Sequence, residues 1–339
     1  MKTIKIILLI IGILAIIIFI YLDLISYLLH VGAGQANLLF NSKPISTLLK
    51  EHDLPLELKN KFLLVSEIKE FAEKEIGLKA TSNYTKYFHT DNSCIVYVVS
   101  ASPADRLEIY IWHFPFMGGF PYKGFFDKKK ALKEKTKFES NGYDTNLREV
   151  TTYSTLGWFS DPLLSTMLQD DDYELANLII HESTHATIFV KNQVTFNENL
   201  ALFVGYEGAL QFVRKKYGNN SIYEQQAIKL SHDSKIFSNY INYLCKKLEK
   251  IYSQNIGFSE KIQQKIKLFK EEKQKYKTDW QPKFESNAYN RFITLEWNNA
   301  LLLAYRTYYQ DLSEFYRTFK EHGDNLKTTV EYYKTVNNK

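Results

Sequence analysis

Two histidines one helical turn apart, with a glutamate beside the first, constrain this chain more than any other feature. They are His181, Glu182 and His185, and they follow the apolar run Leu178–Ile180. Residues four apart share one face of a helix, so both imidazoles would point to one place. This is the HExxH pattern, in which two histidines bind zinc and the glutamate acts as general base. We therefore predict a buried helix that carries a metal site, with Glu182 as the catalytic residue.

A catalytic zinc ion needs a third protein ligand, and two glutamates of the next predicted helix compete for that role. Glu198 follows His185 by thirteen residues, and Glu207 lies nine residues further on. Positions nine residues apart lie about half a turn away from each other around a helix, so Glu198 and Glu207 cannot both face one ion. The run Phe196–Ala201 resembles the Asn-Glu-x-x-Ala element that carries the glutamate ligand in gluzincin metallopeptidases, which favours Glu198.

The sequence does not assign the groups that orient the histidine ligands. Thermolysin-like enzymes have an aspartate four residues after the glutamate ligand, where this chain has Leu202. Metal-binding histidines usually donate their second ring N–H to a carboxylate or a carbonyl. Glu207 or one of the acids at 170–172 is therefore a candidate for this role.

Hydrophobic periodicity predicts a helix-rich α+β fold without a flexible linker. The aromatic stretch Phe114–Phe126 indicates an ordered loop that, like the TLGWFSDP segment, is a candidate wall of a substrate groove. The predicted strands are Cys94–Val99, Leu107–Phe114 and Leu147–Tyr153. The predicted helices are Ile45–Leu78, Lys128–Lys137, Tyr173–Val190, Phe196–Tyr217, Ile222–Ile251, Ser259–Lys277, Ala288–Gln310, Leu312–His322 and a short tail helix.

The chain also resembles the bacterial putative aminopeptidase family. The main resemblance is Tyr153–Leu168, followed by the HExxH motif and the Phe-Asn-Glu triplet. Further matching segments are Gly34-Gln35, Phe114-Pro115, Pro121–Gly124 and Asn298–Ala300. The resemblance implies a zincin-like metallopeptidase fold, a Zn²⁺ cofactor, hydrolysis of peptide bonds and an N-terminal signal or lipoprotein segment. This chain departs from the pattern in having no lipobox cysteine.

The N-terminus predicts a membrane anchor. Residues 6–22 carry no charge and follow Lys2 and Lys5. As a helix they would rise about 25 Å, just enough to span a bilayer core. Because the lysines precede the span, we expect a single-pass protein of a bacterial inner membrane with its catalytic domain on the periplasmic side. The alternative is secretion after cleavage of a signal peptide.

The remaining composition adds few constraints. The 43 Lys and Arg against 38 Asp and Glu give a net charge of +5, which requires no nucleic-acid partner. Cys94 and Cys245 could form one disulfide, but nothing implies that they do. We expect the anchor at 1–22 and one peptidase domain at 23–339, divided into a helical lead-in (23–93), a catalytic core (94–215) and a helical part (216–339). The oligomeric state is not indicated.

Together these features predict a membrane-anchored zinc peptidase that binds the bilayer through residues 6–22 and cleaves peptides. Aminopeptidase specificity follows from the resemblance alone, because no acidic loop for a substrate α-amine is recognisable. The alternatives are a zinc endopeptidase with the same site and a non-catalytic membrane-tethered adaptor. Candidate transition-state or substrate contacts are His113, Tyr305 and Tyr308.

Overall fold

The computed structural model describes residues 22–114, 118–152, 155, 160–169, 171–191, 193–308 and 312–337, and within them the chain is rich in helix. The helices are α1 (described over 22–40), α2 (Ile45–Leu48), α3 (Leu56–Phe71), α4 (Lys128–Glu139), α5 (Asp172–Thr187), α6 (Val194–Tyr217), α7 (Ile222–Tyr252), α8 (Phe258–Lys275), α9 (Asn299–Tyr308), α10 (Ser313–Glu321) and α11 (Leu326–Asn337). The strands are β1 (Lys43–Pro44), β2 (Lys86–Phe88), β3 (Val96–Pro103), β4 (Trp112–Phe114), β5 (Gly118–Phe120), β6 (Lys123–Phe125), β7 (Tyr143–Val150) and β8 (Leu163–Leu164). The predicted helix-rich α+β class is confirmed.

The described strands form three small sheets, one of which is built on the long strand β3. This strand is antiparallel to β6 on one side and to β7 on the other, and Val98 lies opposite both Gly124 and Arg148. Helices α4 and α9 both pack against β3 and β7. Strand β2 pairs antiparallel with β1 and parallel with β8, while β4 and β5 form a separate antiparallel pair.

Two of the strand and loop predictions need correction. The predicted strand Leu107–Phe114 is a strand only over Trp112–Phe114. Residues 107–111 form no strand, although the Tyr110 backbone N–H donates to the carbonyl of Ala101 on β3 at 2.9 Å. The predicted loop Phe114–Phe126 contains the strands β5 and β6.

Two predicted helices are also shorter than expected. Within Ile45–Leu78, the chain leaves the helix after α2 and resumes only after Pro55, which precedes the first residue of α3. Within Ala288–Gln310, the regular helix begins only at Asn299. Side-chain donors occupy carbonyls upstream of α9, since Trp297 donates to the Phe292 carbonyl and Lys273 to that of Leu295. The other named helices end within three residues of their predicted bounds.

Helix α5, which carries the two histidines, is fixed by local signals at its start. The Asp171 carboxylate accepts the backbone N–H of Glu174 at 2.8 Å and so caps the first turn. The acidic residues at this end also interact favourably with the helix dipole. On the helix face opposite the two histidines, Leu175, Ile179 and Ile180 are fully buried in the main core. The helix therefore presents its polar face, not its apolar one, to the site.

Two glycines allow α6 to approach α5 closely. A Cβ atom on Gly205 would lie 2.4 Å from Asn177 Oδ1 and 3.4 Å from the Cβ of His181. A Cβ on Gly208, nearly one turn later, would lie 2.7 Å from Ile76 and 3.0 Å from Ile180. A Cβ at either position would crowd these side chains, so the two glycines permit the close approach of α6 to α5 across which a shared site can form.

The buried apolar residues form one large cluster and a second, aromatic one. The first joins α3, α5, α6, α10 and α11. The second joins α7, α8 and α9 around Phe237, Tyr240 and Phe292. Cys94 and Cys245 are both buried free thiols, so they do not form the disulfide that the sequence left open.

The prediction of a single-pass membrane protein is contradicted. No helix in the part of the chain that the structure describes is long and apolar enough to cross a bilayer. Helix α1, at the beginning of that part, interrupts its apolar residues with Asp23, His30 and Gln35, and polar groups are costly in hydrocarbon. The predicted anchor at 6–22 lies outside the described residues except for its last residue.

Candidate metal centre

The structure brings three potential metal ligands together where α5 meets the first turns of α6. The Nε2 atoms of His181 and His185 are 3.1 Å apart. Glu198 places Oε2 at 3.7 Å from His181 Nε2 and Oε1 at 3.7 Å from His185 Nε2. One ligand atom from each residue lies within 4.8 Å of the others. His181, His185 and Glu198 could therefore hold a metal ion.

Those of the other candidate acids that the structure describes, at 171, 172 and 207, lie elsewhere. Glu207 hydrogen-bonds Tyr316, and burial raises the pKa of its carboxyl group. Asp172 forms an ion pair with Lys61 at 3.1 Å, and Asp171 caps α5. Residue 170 lies outside the described residues. The structure thus joins Glu198, and not Glu207, to the histidines.

A side-chain clamp fixes the position of Glu198 relative to α5. The preceding residue, Asn197, is buried and accepts the backbone N–H of Val190 through Oδ1 at 2.8 Å. Its Nδ2 donates to the carbonyl of the same Val190, also at 2.8 Å. Helix α6 has no side-chain cap of its own at Gln193. This paired amide therefore ties the connection after α5 to the first turn of α6.

Burial favours the neutral form of all three groups. It lowers the pKa of His181 to about 3, with a smaller contribution from the neighbouring His185, and lowers the pKa of His185 to about 4. It raises the pKa of Glu198 to about 7, and the positive charge of Arg148 opposes this rise. Both imidazoles are therefore neutral near pH 7, which is the form that binds metals.

The backbone, and not an acid, orients one of the imidazoles. His181 forms a hydrogen bond with the backbone of Ala201. Metal-binding histidines usually donate one ring N–H to such a backbone group, which leaves the other ring nitrogen for the metal. The Nδ1 of His185 is buried and has no hydrogen-bond partner among the described residues.

These three groups open into a cleft of about 1010 Å³. Glu182 and Arg148 line the same cleft, so the predicted general base faces the space next to the metal-binding group. The lining comes from α1, β3, β7, α5, the start of α6 and the segment 114–126, and most of it is apolar. A largely apolar cleft with a few convergent polar groups is typical of ligand-binding sites.

Both predicted walls of the substrate groove contribute described residues to the cleft lining. The segment 114–126 lines the cleft through Phe114, Phe120, Tyr122 and Phe126. Of the TLGWFSDP segment, residues 156–159 lie outside the described part, and Thr155 lines the cleft.

His113 is exposed on β4, and Tyr305 packs its ring at 5.2 Å from Phe237 in the aromatic cluster. Neither belongs to the described cleft lining. The side chain of Tyr308 lies outside the described residues.

Sequence reasoning missed two residues of this cleft. Arg148 lies on β7, lines the cleft and acts electrostatically on Glu198. The available signal was a basic residue between the apolar positions Leu147 and Val150 of a predicted strand. Gln35 on α1 also lines the cleft, and it entered the sequence argument only as part of a family resemblance. Nothing in the local sequence marks it, because a glutamine in a helix is usually exposed.

Comparison with known proteins supplies the family. The family model described as putative aminopeptidase matches residues 26–339, from within α1 to the end of the chain, and includes all three potential ligands. No match was found among curated proteins or among solved structures. Membership suggests peptidase activity and hence a peptide substrate. On the extent of this match, the chain belongs to the putative aminopeptidase family.

Proposed function

We propose that the protein is a zinc-dependent peptidase with a zincin-like active site, and that it removes N-terminal residues from peptides. The observation that carries this proposal is the group of His181, His185 and Glu198 beside Glu182 in one cleft. The family supports the peptidase class. Aminopeptidase specificity rests on the family name, while metal dependence rests on these residues.

The donor set fits zinc. Two neutral imidazoles and a carboxylate are the ligands of many catalytic zinc sites. Zinc–ligand bonds of about 2.0–2.2 Å at tetrahedral angles would separate the donor atoms by roughly 3.3–3.6 Å. The two Nε2 atoms are 3.1 Å apart, and each lies 3.7 Å from a different carboxylate oxygen of Glu198. One ligand atom from each residue lies within 4.8 Å of the others, so mainly the Glu198 carboxylate would need to move to accommodate the ion.

Each residue of the cleft then has a distinct task. When bound, Zn²⁺ would polarise the scissile carbonyl and lower the pKa of a water molecule to about 7. Glu182 would accept the proton of the attacking water and return it to the leaving amine. Arg148 would supply positive charge to the cleft as negative charge develops on the substrate. The apolar lining would exclude bulk water and so strengthen these electrostatic interactions.

The test of the mechanism is Glu182→Gln in the full chain, measured for bound zinc and for cleavage of short peptides. We expect zinc content to stay at the wild-type level, since Glu182 is not a ligand, and cleavage to fall about 10²–10⁴-fold. Glu174→Gln is the matched control, because Glu174 lines the cleft on the same helix. Absence of zinc from the wild type, or equal cleavage by both variants, would contradict the proposal.

The third ligand and the specificity need separate measurements. Glu198→Ala should weaken zinc binding at least 10–100-fold, whereas Glu207→Ala should leave it unchanged. The reverse result would transfer the ligand role to Glu207. Peptides with a free N-terminus should be cleaved and N-acetylated ones should not; cleavage of both would indicate an endopeptidase.

A further inference from the structure

Helix α1 forms one wall of the cleft. Its lining residues include Leu28, Val31, Gln35 and Leu39, which are three or four positions apart and therefore lie on one face of the helix. Apart from Tyr27 and Gln35, the α1 residues in the lining carry no polar side-chain group. An amide on this apolar face therefore needs an explanation.

Gln35 is buried without satisfying its amide. Its side chain is 8% exposed, and neither Nε2 nor Oε1 has a hydrogen-bond partner among the described residues. Buried donors and acceptors are nearly always paired, because leaving them unpaired costs free energy. A position that tolerates this cost in a cleft indicates a ligand that supplies the missing partners.

The location of Gln35 is built by specific contacts of α1. One turn before it, the His30 Nε2 atom accepts the backbone N–H of Phe126 at 3.2 Å. Next to it, Gly34 allows the Phe126 ring to approach so closely that a Cβ would lie 2.0 Å from a ring carbon. Leu38 is buried in the main core. Because α1 is held on both sides of Gln35, this residue occupies a defined place in the cleft lining.

We propose that Gln35 binds a peptide group of the substrate and that the α1 face around it accepts an apolar substrate side chain. A carboxamide offers one donor and one acceptor side by side, which matches the C=O and N–H of an extended peptide. Val31 and Leu39, one turn to either side of Gln35, provide apolar surface beside it. This inference rests on the proposed function in taking a peptide as substrate, and it assigns the substrate class: peptides with a large apolar side chain.

The test uses Gln35→Met, which keeps the size of the side chain but removes its amide. Binding of uncleaved tripeptides is measured by calorimetry in the Glu182→Gln background, and KM and kcat are measured in the otherwise wild-type chain. We expect binding to weaken about tenfold and KM to rise by the same factor with kcat nearly unchanged, since one or two hydrogen bonds are lost. The melting temperature should stay level or rise, because an unpaired buried amide is removed.

Two controls separate binding from stability and from side-chain preference. Gln263→Met changes an exposed glutamine on α8 and should leave binding unchanged. Tripeptides that differ only in leucine against aspartate should bind at least tenfold differently to the wild type. Unchanged binding by Gln35→Met, equal binding of the two tripeptides, or a lower melting temperature together with lost binding would each overturn the proposal.

The two proposals can fail separately. If the chain binds apolar tripeptides through Gln35 but cleaves none, the proposed peptidase activity is wrong and the binding role of Gln35 holds. If Glu182→Gln abolishes cleavage but Gln35→Met changes neither binding nor KM, the activity holds and the role of Gln35 is wrong.

Discussion

Removing the clamp at Asn197 should damage the metal site without touching a ligand. The Asn197 amide makes two partly buried hydrogen bonds of 2.8 Å to the N–H and the C=O of Val190. Asn197→Ala removes both: the Val190 N–H loses its side-chain acceptor, while the Val190 C=O keeps the N–H of Gln193 at 3.2 Å. The adjoining Glu198 then loses the connection that fixes it opposite α5. We therefore expect two effects, one on folding and one on metal binding.

The size of both effects follows from these contacts. Two hydrogen bonds at about 0.5–1.5 kcal/mol each predict a loss of about 1–3 kcal/mol in the free energy of unfolding. Residues that orient metal ligands typically change metal affinity about 10–100-fold when they are removed. A tenfold weaker affinity reduces the stabilisation by saturating metal by about 1.4 kcal/mol. The metal-loaded variant should therefore lose more stability than the metal-free one.

Urea unfolding with and without zinc, together with a zinc competition titration, measures both effects. The control is Asn299→Ala, because Asn299 is also buried and its amide donates to the carbonyls of Pro103 and Arg106 at 2.9 Å and 3.1 Å. Its Oδ1 also accepts the Tyr252 hydroxyl at 2.8 Å, so this control should lose at least as much stability as Asn197→Ala but keep its zinc affinity. If Asn197→Ala binds zinc as tightly as Asn299→Ala does, the clamp does not position Glu198 and the reasoning is refuted.

Two further predictions concern the helices that form the cleft. Gly205→Ala would place a Cβ 2.4 Å from Asn177 Oδ1. The cost of overpacking, about 1–3 kcal/mol, should outweigh the gain in helix propensity of about 1 kcal/mol, and zinc affinity should fall. A variant that is more stable than the wild type in urea unfolding would contradict this. Burial lowers the pKa of His30 below its ordinary 6.5, and the neutral imidazole accepts the Phe126 N–H. The stability that this neutral form contributes is complete above pH 6.5 and is lost as the pH falls through the lower pKa of the folded state. The difference in unfolding free energy between wild type and His30→Ala should therefore shrink on acidification, and a constant difference would exclude this role.

Element boundaries show where local signals were sufficient. Helices α5 and α6 were predicted to within three residues because 3.6-residue periodicity is a property of neighbouring residues. The predicted strand Leu107–Phe114 was mostly wrong because strand formation depends on pairing with another strand, and only Trp112–Phe114 pairs with one, β5. The predicted division of residues 23–339 into lead-in, core and helical part stays a prediction.

The sequence by itself determined the pairing of His181 with His185, because helix geometry places residues four apart on one face whatever the rest of the fold does. It narrowed the third ligand to two glutamates, and the approach of α6 to α5 then joined Glu198 to the histidines. Only the tertiary structure decided the remainder of the cleft. Gln35 lies 146 residues before His181 and Arg148 lies on another strand, and no local pattern encodes a contact across such distances. Such contacts depend on how helices and sheets pack, which is a property of the whole chain.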